Sequence, residues 1–349
     1  MLGRIDDVMN ISGHRISTAN GSVQSDVGGG VTLTIDPEIA AAVVALTPLE
    51  TAQPPAPGDI AARRTHAKAF FDSAAAAWPP VHGVDVEEHS LTTADGAVLP
   101  LRWYRPSHVD PPGSAMLYLH GGAMCGLEHV GTIYDVMVRE YVAASGVPAL
   151  TVDYRVAPEH PHPTPVLDCY AALQWLADEA GPLGVDPDRI AVVGDSVGAG
   201  LAAGVALMAR DRGGPSIVLQ LLVYPMLDDR TTRPDPHMPP ELLVWTYGDN
   251  VVAWSALLGD RADDSEVDPY AAPARAADLT ALPAAYVDTG DLDIFRDEDV
   301  QYARRLASAG VPTELHVYPG CPHGFDVVGP ETSVSRQAMA NRVRRLRQI

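Results

Sequence analysis

A series of short apolar segments constrains the fold of this chain more than any other feature of its sequence. Each segment is too short, and too rich in β-branched or aromatic residues, for a helix. The segments cover residues 115–119, 148–154, 190–193, 218–224, 284–288 and 314–318. Longer helix-like stretches separate most of them, among them residues 165–179, 197–210 and 297–309. Because continuously apolar strands that alternate with helices form mainly parallel sheets covered on both faces, we expect an α/β fold.

The sequence ahead of these segments predicts a hairpin. Residues 84–92 alternate polar and apolar side chains, and residues 97–105 follow across Asp95-Gly96, a dipeptide that favours a two-residue turn. These two strands bring the expected sheet to eight. Before residue 80, breaks rich in proline and glycine exclude regular sheet, and we expect short helices over residues 37–46 and 60–77.

Residues 227–281 interrupt the alternation of strands and helices. Four prolines precede an aromatic-rich stretch, residues 242–258, which contains Trp245, Tyr247 and Trp254. An insertion of this kind could form a lid over the carboxyl edge of the sheet. An ordinary helix packed against the sheet is the alternative, and the sequence leaves both open.

The charge and cysteine content of the chain exclude several classes of function. Its 45 acidic and 24 basic residues give a net charge of −21, so the chain should repel nucleic acid. The longest uninterrupted apolar run, residues 39–46, is too short to span a membrane. Three cysteines without C-x-x-C spacing favour a reducing compartment, and the acidic first residues argue against a secretory signal. We expect a cytoplasmic protein that contacts neither nucleic acid nor membrane.

A G-x-S-x-G pentapeptide supplies the first candidate for chemistry. Gly194-Asp-Ser196-Val-Gly198 follows the predicted strand 190–193 and precedes an alanine-rich helix, which is the context of a nucleophile elbow. The pentapeptide alone is a weak signal because chance produces it often, and its context makes it specific. A sharp turn presents the serine hydroxyl to a base, and the two glycines allow the crowding. Ser196 is therefore the predicted nucleophile.

A serine nucleophile needs a base, and the base needs a carboxylate that orients it. His323 lies on the loop after the last predicted strand and is the candidate base. Asp288, Asp291, Asp293 and Asp297 lie close together as candidates for the third role, but Asp288 ends a predicted strand and should be partly structural. The start of a helix gives Asp297 a structural reason to be there, whereas Asp293 lies on the connecting loop. We favour Asp293, because the chain order Ser196, Asp293, His323 also matches a known arrangement of catalytic triads.

A glycine-rich turn directly after the predicted strand 115–119 is the candidate oxyanion hole. It contains Gly121, Gly122 and Ala123, whose backbone amides could point into a cleft together with the amide of Val197. Removing one such donor typically costs about a hundredfold or more in rate.

These motifs together resemble the hormone-sensitive-lipase-like branch of the α/β hydrolases, the bacterial family IV esterases. The resemblance extends from about residue 84 to the C-terminus. It rests on the segments His120-Gly-Gly-Ala123, Asp153-Tyr-Arg-Val-Ala-Pro-Glu159-His, Gly194-Asp-Ser-Val-Gly198, Tyr224-Pro-Met-Leu-Asp-Asp229, Asp293-Ile-Phe-Arg-Asp-Glu298 and His323-Gly-Phe325. The chain departs from the family at Ala123, where a third glycine is usual, and at Val197, where a small alanine is usual.

The resemblance implies an α/β hydrolase fold, with a mostly parallel eight-stranded sheet, flanking helices and a helical cap. It assigns residues 34–80 and 228–262 to the cap, and residues 81–227 and 263–349 to the catalytic domain. It implies a serine carboxylesterase for short-chain esters of small molecules that needs no cofactor. The candidate substrate-binding residues are Asp195, Met124, Trp245 and Tyr247.

Several alternatives stay open beside this interpretation. An amidase, lactonase or deacetylase would use the same triad, and a receptor-like relative would bind a ligand without catalysis. A homodimer is common in the family, and the last predicted strand could provide an edge for pairing. We expect no metal, because His160 and His162 lack a third ligand nearby.

Residues 3–19 have a different resemblance, to the hinge motif of acyl-adenylate-forming enzymes of the acetyl-CoA synthetase kind. The chain contains neither the phosphate-binding loop nor the large N-terminal domain of those enzymes. We therefore interpret residues 1–33 as a flexible tail outside the esterase, native or left from a fusion.

Overall fold

The computed structural model describes residues 7–9, 15–17, 33–46, 55–56, 58–107, 113–125, 132–259 and 266–349. The strands within these residues are β1 Asp7–Met9, β2 Arg15–Ser17, β3 Val84–Thr92, β4 Val98–Pro106, β5 Ala115–Leu119, β6 Ala149–Val152, β7 Ile190–Asp195, β8 Leu219–Val223, β9 Ala284–Leu292 and β10 Thr313–Pro322. The α-helices are α1 Pro37–Leu46, α2 Ile60–Ala77, α3 Thr132–Ser145, α4 Thr164–Asp178, α5 Ala180–Leu183, α6 Val197–Arg212, α7 Tyr247–Leu258, α8 Arg296–Ser308, α9 Phe325–Val328 and α10 Ser333–Leu346.

Eight of the strands form one sheet, as the sequence predicts. Their order is β10-β9-β8-β7-β5-β6-β4-β3, and β4 runs antiparallel to both of its neighbours while the other pairs are parallel. In the centre, Ala115 pairs with Ile190, and Leu219 pairs with both Ala191 and Ala284. The parallel strands end at the same edge of the sheet, so the residues that follow β5, β7 and β9 meet there.

The burial of the central strands explains why the sequence shows them as continuous apolar runs. Every residue of β5, β7 and β8 is buried, because helices cover both faces of the sheet. The helix α6 lies directly against this centre and buries thirteen of its residues, most of them alanine, glycine or valine. Small side chains at these positions let the helix approach the strands closely.

The hairpin between β3 and β4 differs from the expected two-residue turn. The strands end at Thr92 and begin again at Val98, which leaves five residues between them. Thr93 closes this loop, because its amide donates to the carbonyl oxygen of Ala97 and its hydroxyl oxygen accepts from the Ala97 amide. The amide of Gly96 also donates to the carbonyl oxygen of Thr93 at 2.9 Å, so a tight turn lies inside this loop.

The helices α1, α2 and α7 lie in the two ranges expected for the cap, and the eight strands of the sheet lie in the ranges expected for the catalytic domain. Asp59 begins α2 by accepting a hydrogen bond from the Ala62 amide, and Thr246 and Asp249 form a reciprocal capping box at the start of α7. The only lysine of the sequence, Lys68, lies on α2. Its side chain is 71% exposed and pairs with Asp72 one turn later.

The structure describes part of the expected tail, and it describes all three cysteines. Most of the expected tail, residues 1–33, lies outside the described residues, and within it β1 and β2 pair as an antiparallel hairpin. The three cysteines, Cys125, Cys169 and Cys321, are buried and form no disulfide. In the described part of the chain, no helix is long and apolar enough to cross a membrane.

Candidate active site

Ser196 occupies a sharp turn between β7 and α6. Its backbone has φ 55° and ψ −121°, a conformation that residues other than glycine rarely adopt and that marks a functional turn. The two flanking glycines make the turn possible. A Cβ atom on Gly194 would lie 2.4 Å from the carbonyl carbon of Gly198, and one on Gly198 would lie 2.1 Å from the carbonyl oxygen of Leu119. Both glycines of the pentapeptide are therefore required by close backbone approach.

The side chains of Ser196, His323 and Asp293 form one chain of hydrogen bonds. The Ser196 hydroxyl lies 2.9 Å from Nε2 of His323, and Nδ1 of the same ring lies 2.6 Å from Oδ2 of Asp293. Asp293 is 1% exposed, and its second oxygen accepts from the Phe295 amide at 3.0 Å. With Nδ1 carrying the proton, Nε2 is free to accept the serine proton.

The other two acids that the sequence leaves open lie elsewhere. Asp291 accepts a hydrogen bond from the Gly320 amide at 2.6 Å and so fixes the loop that leads to His323. Asp297 pairs with Arg296, and its side chain is 75% exposed in the first turn of α8. It does not cap that helix, since Phe295 occupies the N-cap without a side-chain hydrogen bond.

The imidazole of His323 is enclosed by aromatic rings. The rings of Tyr224 and Phe295 contact it edge to face, with centroids at 4.8 Å and 5.2 Å, and the ring of Trp245 lies at 6.4 Å. Rings on several sides restrict rotation of the imidazole. The residue after it, Gly324, has φ 67°, which turns the chain from β10 into α9.

The glycine-rich turn after β5 lies beside Ser196. Gly122 and Ala123 line the same cavity as the serine hydroxyl, and Val197 begins α6, where the first amides have no partner inside the helix. Gly121 has a packing role, because a Cβ atom there would lie 2.5 Å from a carboxylate oxygen of Asp195 and from the hydroxyl of Tyr134. Ala123 has φ 62°, a backbone angle that favours glycine, and it stands at the position where the family usually has a third glycine.

The cavity at this site has a volume of about 120 Å³ and is mostly apolar. Of the four expected substrate-binding residues, Asp195 and Trp245 line it. Met124 and Tyr247 are not among the residues that line it, so their part in substrate binding stays a prediction. Met124 is buried, and the hydroxyl of Tyr247 accepts a hydrogen bond from the Asp235 amide.

Comparisons with known proteins identify the family of this chain. The family profile described as the α/β hydrolase fold matches residues 116–327, more than half of the chain. The chain belongs to the α/β hydrolase family. Carboxylesterase NlhH from Mycobacterium tuberculosis is 36% identical to this α/β hydrolase over 249 residues, which cover 69% of the chain and 75% of the relative. An ethyl acetate hydrolase from Pseudomonas putida is 35% identical over 256 residues, covering 70% and 76%.

Solved structures place the same α/β hydrolase among esterases. A bacterial heroin esterase has a TM-score of 0.79 and 36% identity, with 90% of this chain and 97% of that chain covered. An esterase from the archaeon Pyrobaculum calidifontis has a TM-score of 0.77 and 32% identity, with 90% and 98% covered. These comparisons give no support to the resemblance of residues 3–19 to acyl-adenylate-forming enzymes.

Residues that the sequence analysis missed form much of the cavity wall of this α/β hydrolase. Ala67, Phe70 and Phe71 come from α2, and Val327 and Val328 come from α9. The signal that could have found them is the Phe70-Phe71 pair in a helix expected to cover the site, since the whole sequence contains four phenylalanines. Val327 and Val328 carry no such signal.

Asp195, next to the nucleophile, is a buried carboxylate. The hydroxyl groups of Tyr118 and Tyr134 donate to its two oxygens at 2.9 Å and 3.0 Å. Burial raises the pKa of Asp195 to about 6, although the two tyrosine hydrogen bonds act in the opposite direction. One oxygen of this carboxylate packs closely against Gly121.

A second buried network lies behind His323 in this α/β hydrolase. The guanidinium of Arg342, on α10, is completely buried and pairs with Asp288 at 2.7 Å and with Asp326. The Tyr224 hydroxyl donates to Asp326 at 2.9 Å, so the ring beneath His323 is tied to this ion pair. Burial raises the pKa of Asp288, and the Arg342 charge opposes that rise.

Within the described ranges, no group of three or more His, Cys, Asp or Glu side chains is arranged to hold a metal ion. His162 pairs instead with Asp268 at 3.0 Å.

Proposed function

We propose that this α/β hydrolase is a serine carboxylesterase that cleaves short-chain acyl esters through an acyl-enzyme intermediate. The observation that carries the proposal is the continuous set of hydrogen bonds from Ser196 through His323 to Asp293, beside an apolar cavity. Esterases among the relatives and structural neighbours support the same reaction class.

The first half of the reaction transfers the acyl group to the serine. Nε2 of His323 accepts the Ser196 proton while the oxygen attacks the ester carbonyl carbon. The negative charge that develops on the carbonyl oxygen is stabilised by the amides of Gly122, Ala123 and Val197. The imidazolium then gives its proton to the leaving alcohol, and the carbon–oxygen bond to that alcohol breaks.

The second half of the reaction repeats these steps with water. His323 takes a proton from water, the hydroxide attacks the acyl-enzyme, and the acid product leaves as Ser196 regains its proton. Asp293 keeps Nδ1 protonated and stabilises the imidazolium in both halves. None of these steps requires a cofactor.

The shape of the cavity supports short acyl chains of roughly two to six carbons. Phe71, Val244 and Trp245 narrow it, and its volume is about 120 Å³. A relative named for ethyl acetate hydrolysis supports the same preference. Faster turnover of octanoyl than of butyryl esters would contradict this substrate class.

Substitution and labelling test the proposed reaction. Ser196→Ala should abolish hydrolysis of aryl butyrates, and an organophosphonate should label the wild-type serine once per chain. Among Asp291→Asn, Asp293→Asn and Asp297→Asn, only the second should lose about 10⁴-fold in kcat, because it alone leaves the imidazole in the wrong tautomer. Full activity of Asp293→Asn would refute the assignment, and an unlabelled serine would favour a ligand-binding relative. A panel that includes aryl amides and lactones separates the esterase from the other hydrolases that use this triad.

We infer further that the edge strand β10 pairs with a second copy in a homodimer. β10 is the outermost strand beyond β9, and its Leu315 and Val317 are 37% and 38% exposed. Unpaired strand edges readily accept another strand. Light scattering after size exclusion should give a mass near twice 37.0 kDa, and Val317→Lys should reduce it to that of the monomer.

We also propose that the protein works in the cytoplasm. Its three buried cysteines are unpaired, which suits a reducing compartment. Cell fractionation with an antibody against the chain tests this, and a periplasmic or extracellular signal would contradict it.

A further inference from the structure

The turn proposed as the oxyanion hole holds two neighbouring residues in a strained conformation. Ala123 has φ 62° and Met124 has φ 60°, both in the left-handed region that favours glycine. Two consecutive non-glycine residues in this region persist only when the surrounding structure holds them there. The amide of Ala123 belongs to the proposed oxyanion hole, so whatever holds this turn also sets the position of a catalytic donor.

The carbonyl groups that follow the strained residues are held by hydrogen bonds from outside the turn. The Ala157 amide donates to the carbonyl oxygen of Met124 at 3.0 Å. Nε of Arg64 donates to the carbonyl oxygen of Cys125 at 2.8 Å, and Nη2 of the same side chain donates to the carbonyl oxygen of Ala157 at 3.1 Å. One guanidinium thus joins the turn to the loop that supports it.

Arg64 itself is well fixed. It lies on α2, and its side chain is 19% exposed. Glu159 accepts from Nη1 at 3.0 Å and from Nη2 at 2.6 Å, so the carboxylate fixes the plane of the guanidinium on its outer side. Such charge-assisted bonds from a planar donor set are strong and directional. One turn further along α2, Ala67 lines the cavity, so the same helix contacts both the substrate space and the oxyanion turn.

We propose that Arg64 is a positioning residue for the oxyanion hole, which holds the strained Ala123-Met124 turn in place through the carbonyl groups of Cys125 and Ala157. The inference rests on the proposed esterase function. Arg64 is not a catalytic residue, because its side chain is not among those that line the cavity, and its described hydrogen bonds go to the carbonyl oxygens of Cys125 and Ala157 and to Glu159. It acts through the backbone amide of Ala123, because it determines the position of that amide.

This role predicts a specific kinetic signature. The oxyanion forms only after Ser196 has attacked, so a displaced amide weakens binding of the transition state more than binding of the substrate. A misplacement of about 1 Å can cost on the order of a hundredfold in rate. We therefore expect Arg64→Gln to lower kcat by about 10- to 100-fold and to change KM by less than about threefold.

Lysine and glutamine variants separate the carbonyl contacts from the charge. Arg64→Lys keeps a positive charge near Glu159 but lacks the planar fork that reaches two carbonyl oxygens, so its kcat should fall nearly as far as that of Arg64→Gln. Glu159→Gln removes the ion pair and leaves the carbonyl contacts, so its kcat should stay within about threefold of wild type. Arg63→Gln is a matched control on the same helix, because the described hydrogen bonds of Arg63 go to Asp249 of α7 at 2.7 Å and to the carbonyl oxygen of Pro55, and not to the turn.

The experiment measures kcat and KM for aryl butyrates, normalised to active sites titrated with an organophosphonate, and the inhibition constant of butylboronic acid, whose tetrahedral serine adduct places an oxygen in the oxyanion hole. In the Arg64 variants, the inhibition constant should rise in step with the loss of kcat. Normal kcat per titrated site in both variants, or a loss in Glu159→Gln equal to that in Arg64→Gln, would overturn the proposal. Ser196→Ala is measured alongside, since activity that survives in it would refute the esterase assignment and not the role of Arg64.

A substitution inside the turn tests the strain. Glycine adopts the φ of Ala123 without steric cost, so Ala123→Gly should recover at least about threefold in kcat when added to Arg64→Gln. If the double variant is as slow as Arg64→Gln, strain at this position is not what the arginine opposes, and the proposed mechanism is wrong.

Discussion

Among single residues, Asp195 shows how burial beside a nucleophile alters the pH dependence of folding. Burial raises its pKa from 3.8 to about 6, so the folded state binds this proton more tightly than the unfolded state. The stabilisation from that proton is complete below pH 3.8 and is lost as the pH rises through about 6. Above that pH, the folded chain must keep an ionised carboxylate without water.

We therefore expect the stability of the wild type relative to Asp195→Asn to fall by about 3 kcal/mol between about pH 4 and pH 7. Urea denaturation of both proteins at several pH values measures this difference. Glu140, whose pKa burial also raises to about 6, is present in both proteins and cancels. A difference in the free energy of unfolding that does not change with pH would contradict the burial effect.

The two glycines of the elbow make a second prediction at the scale of residues. Gly194→Ala and Gly198→Ala push a methyl group within 2.4 Å and 2.1 Å of backbone atoms, which cannot retreat as side chains do. Each should lower the free energy of unfolding by at least about 3 kcal/mol or prevent folding. Gly181→Ala is the control, because no atom beyond its chain neighbours and its own helix backbone lies within 4 Å of the added methyl group. Its thermal midpoint should stay at or above that of the wild type.

The sequence predicts the candidate site unevenly at this scale. Ser196 and His323 follow strand ends within short motifs, so local sequence is enough to find them. The preference for Asp293 over Asp291 and Asp297 is narrower, because all three lie close together in the chain and only the fold decides which carboxylate faces the imidazole. The residues that line the cavity are harder still to predict from the sequence. Val327 and Val328 reach the cavity through packing between distant helices, which leaves no local pattern, whereas Phe71 stands in an adjacent pair of phenylalanines.

At the scale of elements, α10 is tied to the sheet by one buried charge. Arg342 pairs with Asp288 on β9 and with Asp326 on α9, and all three side chains are buried. Removing one member of a buried ion pair leaves the other charges without compensation. We expect Arg342→Gln to lower the free energy of unfolding by about 3–5 kcal/mol, measured by urea denaturation.

A second arginine on the same helix provides the control for this prediction. The side chain of Arg336 is 60% exposed, and it pairs at 3.5 Å with Glu331, which is 67% exposed. Arg336→Gln should change the free energy of unfolding by less than about 0.5 kcal/mol. Similar losses in the two variants would indicate that α10 is sensitive to any change, and not to the buried charge.

The elements themselves were largely predictable, and the exceptions have a physical cause. All eight strands of the sheet lie where apolar runs or alternation predict them. Two of them, β9 and β10, continue for four residues beyond the predicted ends, to Leu292 and Pro322. Apart from Leu292 and Cys321, those extra residues are polar or turn-forming, and they carry the chain towards Asp293 and His323. Apolar periodicity fails there because most of these residues, although buried, are not apolar.

At the scale of the whole molecule, the net charge of −21 opposes compaction. Ion pairs within the described ranges, such as Arg155 with Asp168 and Arg275 with Asp229, relieve the repulsion only locally. Salt screens repulsion between surface charges over about 10 Å at 0.1 M. Raising NaCl from about 10 mM to 150 mM should therefore raise the thermal midpoint by about 2 °C or more. Sucrose at the same osmolality is the control, because it adds solute without screening charges. A midpoint that falls with NaCl would show that attractive pairs dominate.

The exposed Lys68 gives this chain an unusual site for selective chemical labelling. Because the sequence holds no other lysine, an amine-selective reagent has one side-chain target besides the N-terminus, and that target lies on α2. Covalent capture on an activated bead would orient every molecule alike and anchor it by the helix that covers the cavity. A fluorophore attached there would report directly whether that helix moves when an ester enters.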